Sequence, residues 1–173
     1  MELLIPGLIL VALMVYASTK IKRTAAEAFE PETVETDDFV IKKPDGFLNK
    51  LNGDEQFAFE AYSREFGLAS GAENFRMGTA NLIAFDGKDV KRAIAELAEM
   101  GDEIESEQAE VVGEYHYRIV EAKRAVKDID FRVRYKLAEK GGKVYRFETV
   151  NLIEASEEFV HRVDTMLDIF ELK

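Results

Sequence analysis

Side chains that could do chemistry are sparse in this sequence. It has two histidines, His116 and His161, forty-five positions apart, and no cysteine. A metal centre would need both imidazoles to converge with carboxylates; histidines this isolated are more often structural or solvent-facing. Without cysteine there are no disulfides, thiolate ligands or thiol nucleophile. Ser70, Ser106 and Ser156 fall in no nucleophile-elbow pattern, and neither a dinucleotide-binding glycine pattern nor a phosphate-binding loop occurs. Asp86-Gly87-Lys88-Asp89 shares letters with a calcium loop but lacks its spacing. Asp128 and Asp130 could serve as paired acid–base carboxylates if their environments split their pKa values. They share a strand face with Arg132 and Arg134, however, so charge pairing across a sheet surface is the better reading. No catalytic residue, metal or cofactor is indicated.

The densest cluster is cationic. Arg132, Arg134 and Lys136 alternate along one strand face, with Arg118, Lys123, Arg124 and Lys127 on or near the preceding strand. Arg118, Arg132, Arg134 and Lys136 are the candidate interaction patch, able to dock an acidic partner or lie toward anionic headgroups. The competing reading, favoured by the number of acids, is neutralisation by the chain's own carboxylates. A second stripe, Glu96, Glu99, Glu103, Glu107 and Glu110, reads as the solvated face of an amphipathic helix.

Overall charge narrows the partners. The formal net charge is −11, and beyond residue 23 there remain 20 basic and 33 acidic residues. A phosphate backbone would repel that average, so nucleic acid is excluded as a partner class. With 47% hydrophobic and 33% charged residues the chain has enough apolar material for a core.

Residues 3–19, LLIPGLILVALMVYAST, form seventeen positions without a charge. As a helix they would reach ~26 Å, near the ~30 Å hydrocarbon core of a bilayer. Residues 1–29 are therefore expected to be an anchor helix, making the lipid bilayer a partner through residues 3–19. A cleaved signal peptide is the rival reading, because Val15-Tyr16-Ala17 resembles a cleavage site. Against it, the basic cluster Lys20, Lys22 and Arg23 follows the apolar run. By the positive-inside rule that order puts the N-terminus outside a cell membrane and the rest of the chain in the cytoplasm. The acidic stretch PETVETDD then reads as a linker over 30–38, leaving 39–173 as one soluble domain.

Within that domain the patterning predicts an α+β fold. Strands are expected at Phe39–Ile41, Gln56–Phe66, Phe75–Phe85, Tyr115–Val120, Ile129–Leu137 and Val144–Ile153, the last two joined by a hairpin at Gly141-Gly142. A helix capped by Asp86 carries Val90, Ala93, Ile94, Leu97, Met100, Ile104 and Val111 on one side, so it ends at Gly101-Asp102 or runs on to about Val111. A final helix capped by Ser156 carries Phe159, Val160, Val163, Met166, Leu167 and Phe170 as an apolar stripe, with Arg162 opposite. The expected whole is a single transmembrane helix followed by a mostly antiparallel β-sheet packed with helices.

Three features in this order have a counterpart elsewhere: a strand entering Pro44-Asp45-Gly46-Phe47, paired strands around Tyr145-Arg146-Phe147, and a terminal amphipathic helix through Phe170. Over residues 38–173 this outline resembles the α/β/α sandwich of PsbP-like proteins. The resemblance implies a fold and supplies no function; its photosynthetic members work on the lumenal side of a membrane, opposite to the side the flanking charges indicate here. The functional expectation is a membrane-tethered, non-enzymatic interaction or accessory domain engaging an unknown protein partner. The alternative is a small-molecule or lipid-binding domain, with Tyr115, Tyr117, Phe131 and Phe147 available to line an apolar pocket between sheet and helices.

Overall fold

The computed structural model describes residues 4–50, 55–87 and 89–173, with residues 4–10 described by their backbone alone. In chain order the elements are α1 (Leu4–Glu27), β1 (Glu32–Glu35), β2 (Phe39–Lys43), β3 (Phe47–Asn49), β4 (Phe59–Ser63), β5 (Gly78–Asp86), α2 (Val90–Glu99), β6 (Glu103–Val112), β7 (Tyr115–Val126), β8 (Ile129–Lys140), β9 (Lys143–Leu152), α3 (Glu157–Ile169) and β10 (Glu171–Leu172). Seven strands form one sheet in the order β3-β4-β5-β9-β8-β7-β6, and β1-β2-β10 form a small second sheet. Every strand pairing is antiparallel. The chain is thus a mixed α+β protein whose antiparallel sheets pack against helices.

Strand alternation gives the large sheet two faces, and each acquires a helix. On one face Phe47, Phe59, Leu82 and Phe147 meet Phe159, Val163, Met166, Leu167 and Phe170 of the C-terminal segment, all buried. The Ser156 hydroxyl caps α3 by accepting from Phe159 N–H, as its sequence signal predicts. Gly78 is required beneath it, because a Cβ there would lie 2.9 Å from the Phe159 ring and 3.3 Å from Phe47. On the other face α2 buries Ala93, Ile94 and Leu97 over β8 and β6.

Four local expectations are corrected. Of the two ends left open for the second helix, the structure takes the one at Gly101-Asp102: α2 stops at Glu99, and the expected glutamate stripe breaks up, because Glu103, Glu107 and Glu110 belong to strand β6. Gly101 sits at φ +93°, a left-handed turn that ends the helix while Asp102 N–H closes back on Leu97 O at 3.2 Å. Downstream, pairing with β7 overrides the helical propensity of EIESEQAEVV. The helix cap is Asp89, not Asp86. The expected linker carries strand β1, which pairs with β2. Asp128 lies in the β7–β8 turn instead of flanking Asp130 on a strand.

Among the described residues no helix is long and apolar enough to cross a membrane. The uncharged run of residues 3–19 lies partly outside those whose side chains are described.

Candidate functional site

The register explains where the cationic candidates go. Arg118 pairs with Leu137 and Glu121 pairs with Arg134, so Arg118 points to the α2 face while Arg132, Arg134 and Lys136 point to the α3 face. The four therefore do not form one surface. Under α3, Asp164 takes Arg132 and Arg134, each at 3.0 Å, and Glu121 takes them at 3.3 and 3.1 Å. Lys136 is fully buried: its ammonium donates to Asp168 O at 2.9 Å, pairs with Glu110 at 3.2 Å and stands 4.7 Å from the centre of the Tyr117 ring. Here charge pairing fastens the last helix to the sheet.

Arg118, by contrast, is exposed and 3.5 Å from Glu107. It lines an open groove of about 790 Å³ between the first turn of α2 and the β6–β7 hairpin. Val90 and Ile94 supply its apolar wall, and Asp89, Glu107, Glu114 and Glu139 outnumber Lys91 and Arg118 around it. His116 lines the groove, while His161 lies exposed on α3, over the opposite face. Among the described residues no three histidine or acidic side chains are gathered to hold a metal ion.

At the other end of α2, past its C-terminus, lies a polar cluster without any spacing signal in the sequence. Arg124 donates to Asp102 at 2.7 and 3.1 Å and to Glu148 at 3.3 Å, and the Tyr135 hydroxyl donates to Asp102. Asp102 follows directly after Gly101, so the cluster pins the end of α2 to the middle of the sheet. Burial, then the neighbouring Glu148 charge, push the Tyr135 hydroxyl well above the ordinary phenol range.

Of the four aromatics proposed to line a pocket, three are core. Phe147 packs on Phe170 with ring centres 5.1 Å apart, Tyr117 meets the same ring edge-on at 6.3 Å, and Phe131 meets Phe75 at 5.5 Å. Only Tyr115 reaches the groove, its hydroxyl donating to Lys173 O at 2.6 Å.

Sequence reading also missed the junction between α1 and the domain. The buried Lys43 ammonium donates to the carbonyls of Ala28, Glu30 and Phe47. Phe29 O accepts from Gly46 N–H at 2.9 Å, and the Arg64 guanidinium lies 5.8 Å from the Phe29 ring centre. Ala28 and Glu30 lie just past the C-terminal end of α1, where the helix dipole also favours a cation.

No protein-family model and no curated protein matches the chain. Solved structures do. Cyanobacterial PsbP (CyanoP) from Synechocystis sp. PCC 6803 superposes with a TM-score of 0.56 at 13% identity, over 83% of this chain and 92% of its own. LpqN of Mycobacterium tuberculosis, involved in cell envelope biogenesis, gives 0.55 at 10%, over 83% and 91%. The Saccharomyces cerevisiae Ran-binding protein Mog1p gives 0.52 at 13%, over 83% and 96%. At these identities the likeness is one of fold. The resemblance to PsbP-like domains anticipated from the strand and helix order is thereby borne out.

Proposed function

We propose that this protein is a membrane-tethered, non-enzymatic interaction domain. Residues 1–29 anchor it in a cell membrane, residues 30–38 connect, and residues 39–173 engage a protein partner at the cytoplasmic surface. The uncharged run of residues 3–19 and the basic cluster after it support the anchor and its orientation. The observation that carries the reading is the Lys43 junction, where one buried ammonium binds carbonyls on both sides of the boundary between helix and domain. A tether fixed in this way presents the domain in one orientation to whatever lies at the membrane surface.

The fold supports an interaction role without naming a partner; of the structural neighbours, Mog1p is a Ran-binding protein. Of the candidate patch, Arg118 is the member we assign to docking, since Arg132, Arg134 and Lys136 hold α3. Purification of the intact protein from its native membrane in mild detergent, as wild type and as Arg118→Glu, tests this. A partner that co-purifies with wild type and is lost from the variant supports docking at the groove; equal recovery of the same proteins contradicts it. The groove's volume, about 790 Å³, falls within the ~300–1,000 Å³ of small-molecule pockets, which favours ligand binding as the second reading.

A further inference from the structure

Arg146 stands on β9 with 8% of its surface exposed, on the α2 face of the sheet. The register places it between Ile83 of β5 and Leu137 of β8. A guanidinium so far removed from water ordinarily sits against a carboxylate, because an uncompensated buried charge is strongly unfavourable. The nearby carboxylates are engaged by its neighbour: Asp102 and Glu148 both pair with Arg124, at 2.7 and 3.3 Å. Among the described residues Arg146 has no such pair. Its Nη1 reaches the Met100 sulfur at 3.7 Å, its Nε has no hydrogen-bond partner, and the Phe85 and Tyr135 ring centres lie 5.3 and 5.9 Å from its Cζ.

Arg146 lines a cavity of about 200 Å³. Asn81 and Glu148 share its polar wall with the two arginines; Phe57, Ile83 and Met100 make up the rest. We propose that this cavity binds a short-chain monocarboxylate. The carboxylate is taken by Arg146, whose planar fork of donors matches two oxygens at once, and by the Asn81 amide. The alkyl tail lies against Phe57, Ile83 and Met100. One uncompensated cation asks for one negative charge, and Glu148 on the same wall repels a second, which selects against phosphate and dicarboxylates. The volume is below the ~300 Å³ at which drug-sized ligands begin to fit, so the tail is short.

The test is titration calorimetry on the full chain in detergent micelles at constant ionic strength, with butyrate, acetate, the uncharged isostere butyramide and inorganic phosphate. Butyrate is expected to bind saturably, with affinity falling about fourfold for each methylene removed toward acetate. Butyramide and phosphate are expected not to bind. Arg146→Met keeps most of the side-chain volume and should weaken butyrate at least about tenfold. Should that variant fail to fold, Ile83→Phe fills the cavity while leaving the guanidinium in place, and it should abolish binding without altering the melting transition. Absence of saturable butyrate binding to wild type, equal binding of phosphate, or unchanged affinity in folded Ile83→Phe overturns the proposal.

Discussion

The Lys43 ammonium donates to Phe47 O at 2.7 Å, across the turn that joins β2 to β3. The same nitrogen reaches back to Ala28 O at 3.3 Å and to Glu30 O. Lys43→Met keeps the apolar stem and orphans three acceptors, which should lower stability by about 2–4 kcal/mol in denaturant unfolding. Burial also holds the Lys43 pKa below its ordinary 10.5. Between the folded value and 10.5 the unfolded chain binds the extra proton, so this residue's contribution rises with pH across that window. The difference between wild type and Lys43→Met, followed by melting from pH 8 to 10.5, should therefore grow with pH. A difference that shrinks would mean the group is not desolvated.

Phe170 and Leu167 are fully buried where α3 closes the core. Truncation of either to Ala should cost about 2–5 kcal/mol and lower the melting temperature markedly. The sequence marks Arg162 as the neutral control on the opposite side of the helix. The structure disqualifies it, because Arg162 donates to Asp45 O at 3.1 Å and lies 5.1 Å from the Phe159 ring centre. His161→Ala, at an exposed position, is the appropriate control and should leave the melting curve unchanged.

These contrasts mark what the sequence could and could not say. The α3 stripe, its Ser156 cap and the Gly141-Gly142 hairpin are local patterns with local causes, and they were legible. β6 was not, since EIESEQAEVV has helical propensity and becomes a strand only by pairing with β7. The cationic patch was half legible. Alternation puts Arg132, Arg134 and Lys136 on one face, but the β7–β8 register that sends Arg118 to the other is long-range information. Lys43, Asp102 and Arg146 left no trace, because their roles depend on partners brought in by the fold.

Tyr135→Phe deletes the hydroxyl that donates to buried Asp102. Loss of that hydrogen bond should cost about 1–3 kcal/mol near neutral pH. Because the folded pKa of Tyr135 is raised, its contribution is fully present below the unfolded value of 10.0 and is lost as pH rises above it. Wild type should lose stability above pH 10 more steeply than the variant. Parallel alkaline curves would show that the hydroxyl titrates as it does in the unfolded chain.

The β7–β8 hairpin turns on Lys127 and Asp128 at φ +52° and +62°. Asp tolerates the left-handed region through its short polar side chain, whereas Lys carries a Cβ penalty of ~1–2 kcal/mol there. Lys127→Gly removes that penalty but gives the unfolded chain more freedom, so a net gain of about 0.5–1 kcal/mol in unfolding free energy is expected. Destabilisation would mean that the Lys127 side chain makes contacts worth more than the turn strain.

Tethering is the central claim, and extraction of membranes with alkaline carbonate tests it most directly. In cells expressing the intact chain and, separately, residues 28–173, which keep the Lys43 junction and β1, only the intact chain should remain in the membrane pellet. Release of the intact chain into the supernatant alongside the shorter one would contradict the account, because residues 3–19 would then not hold the protein in a bilayer.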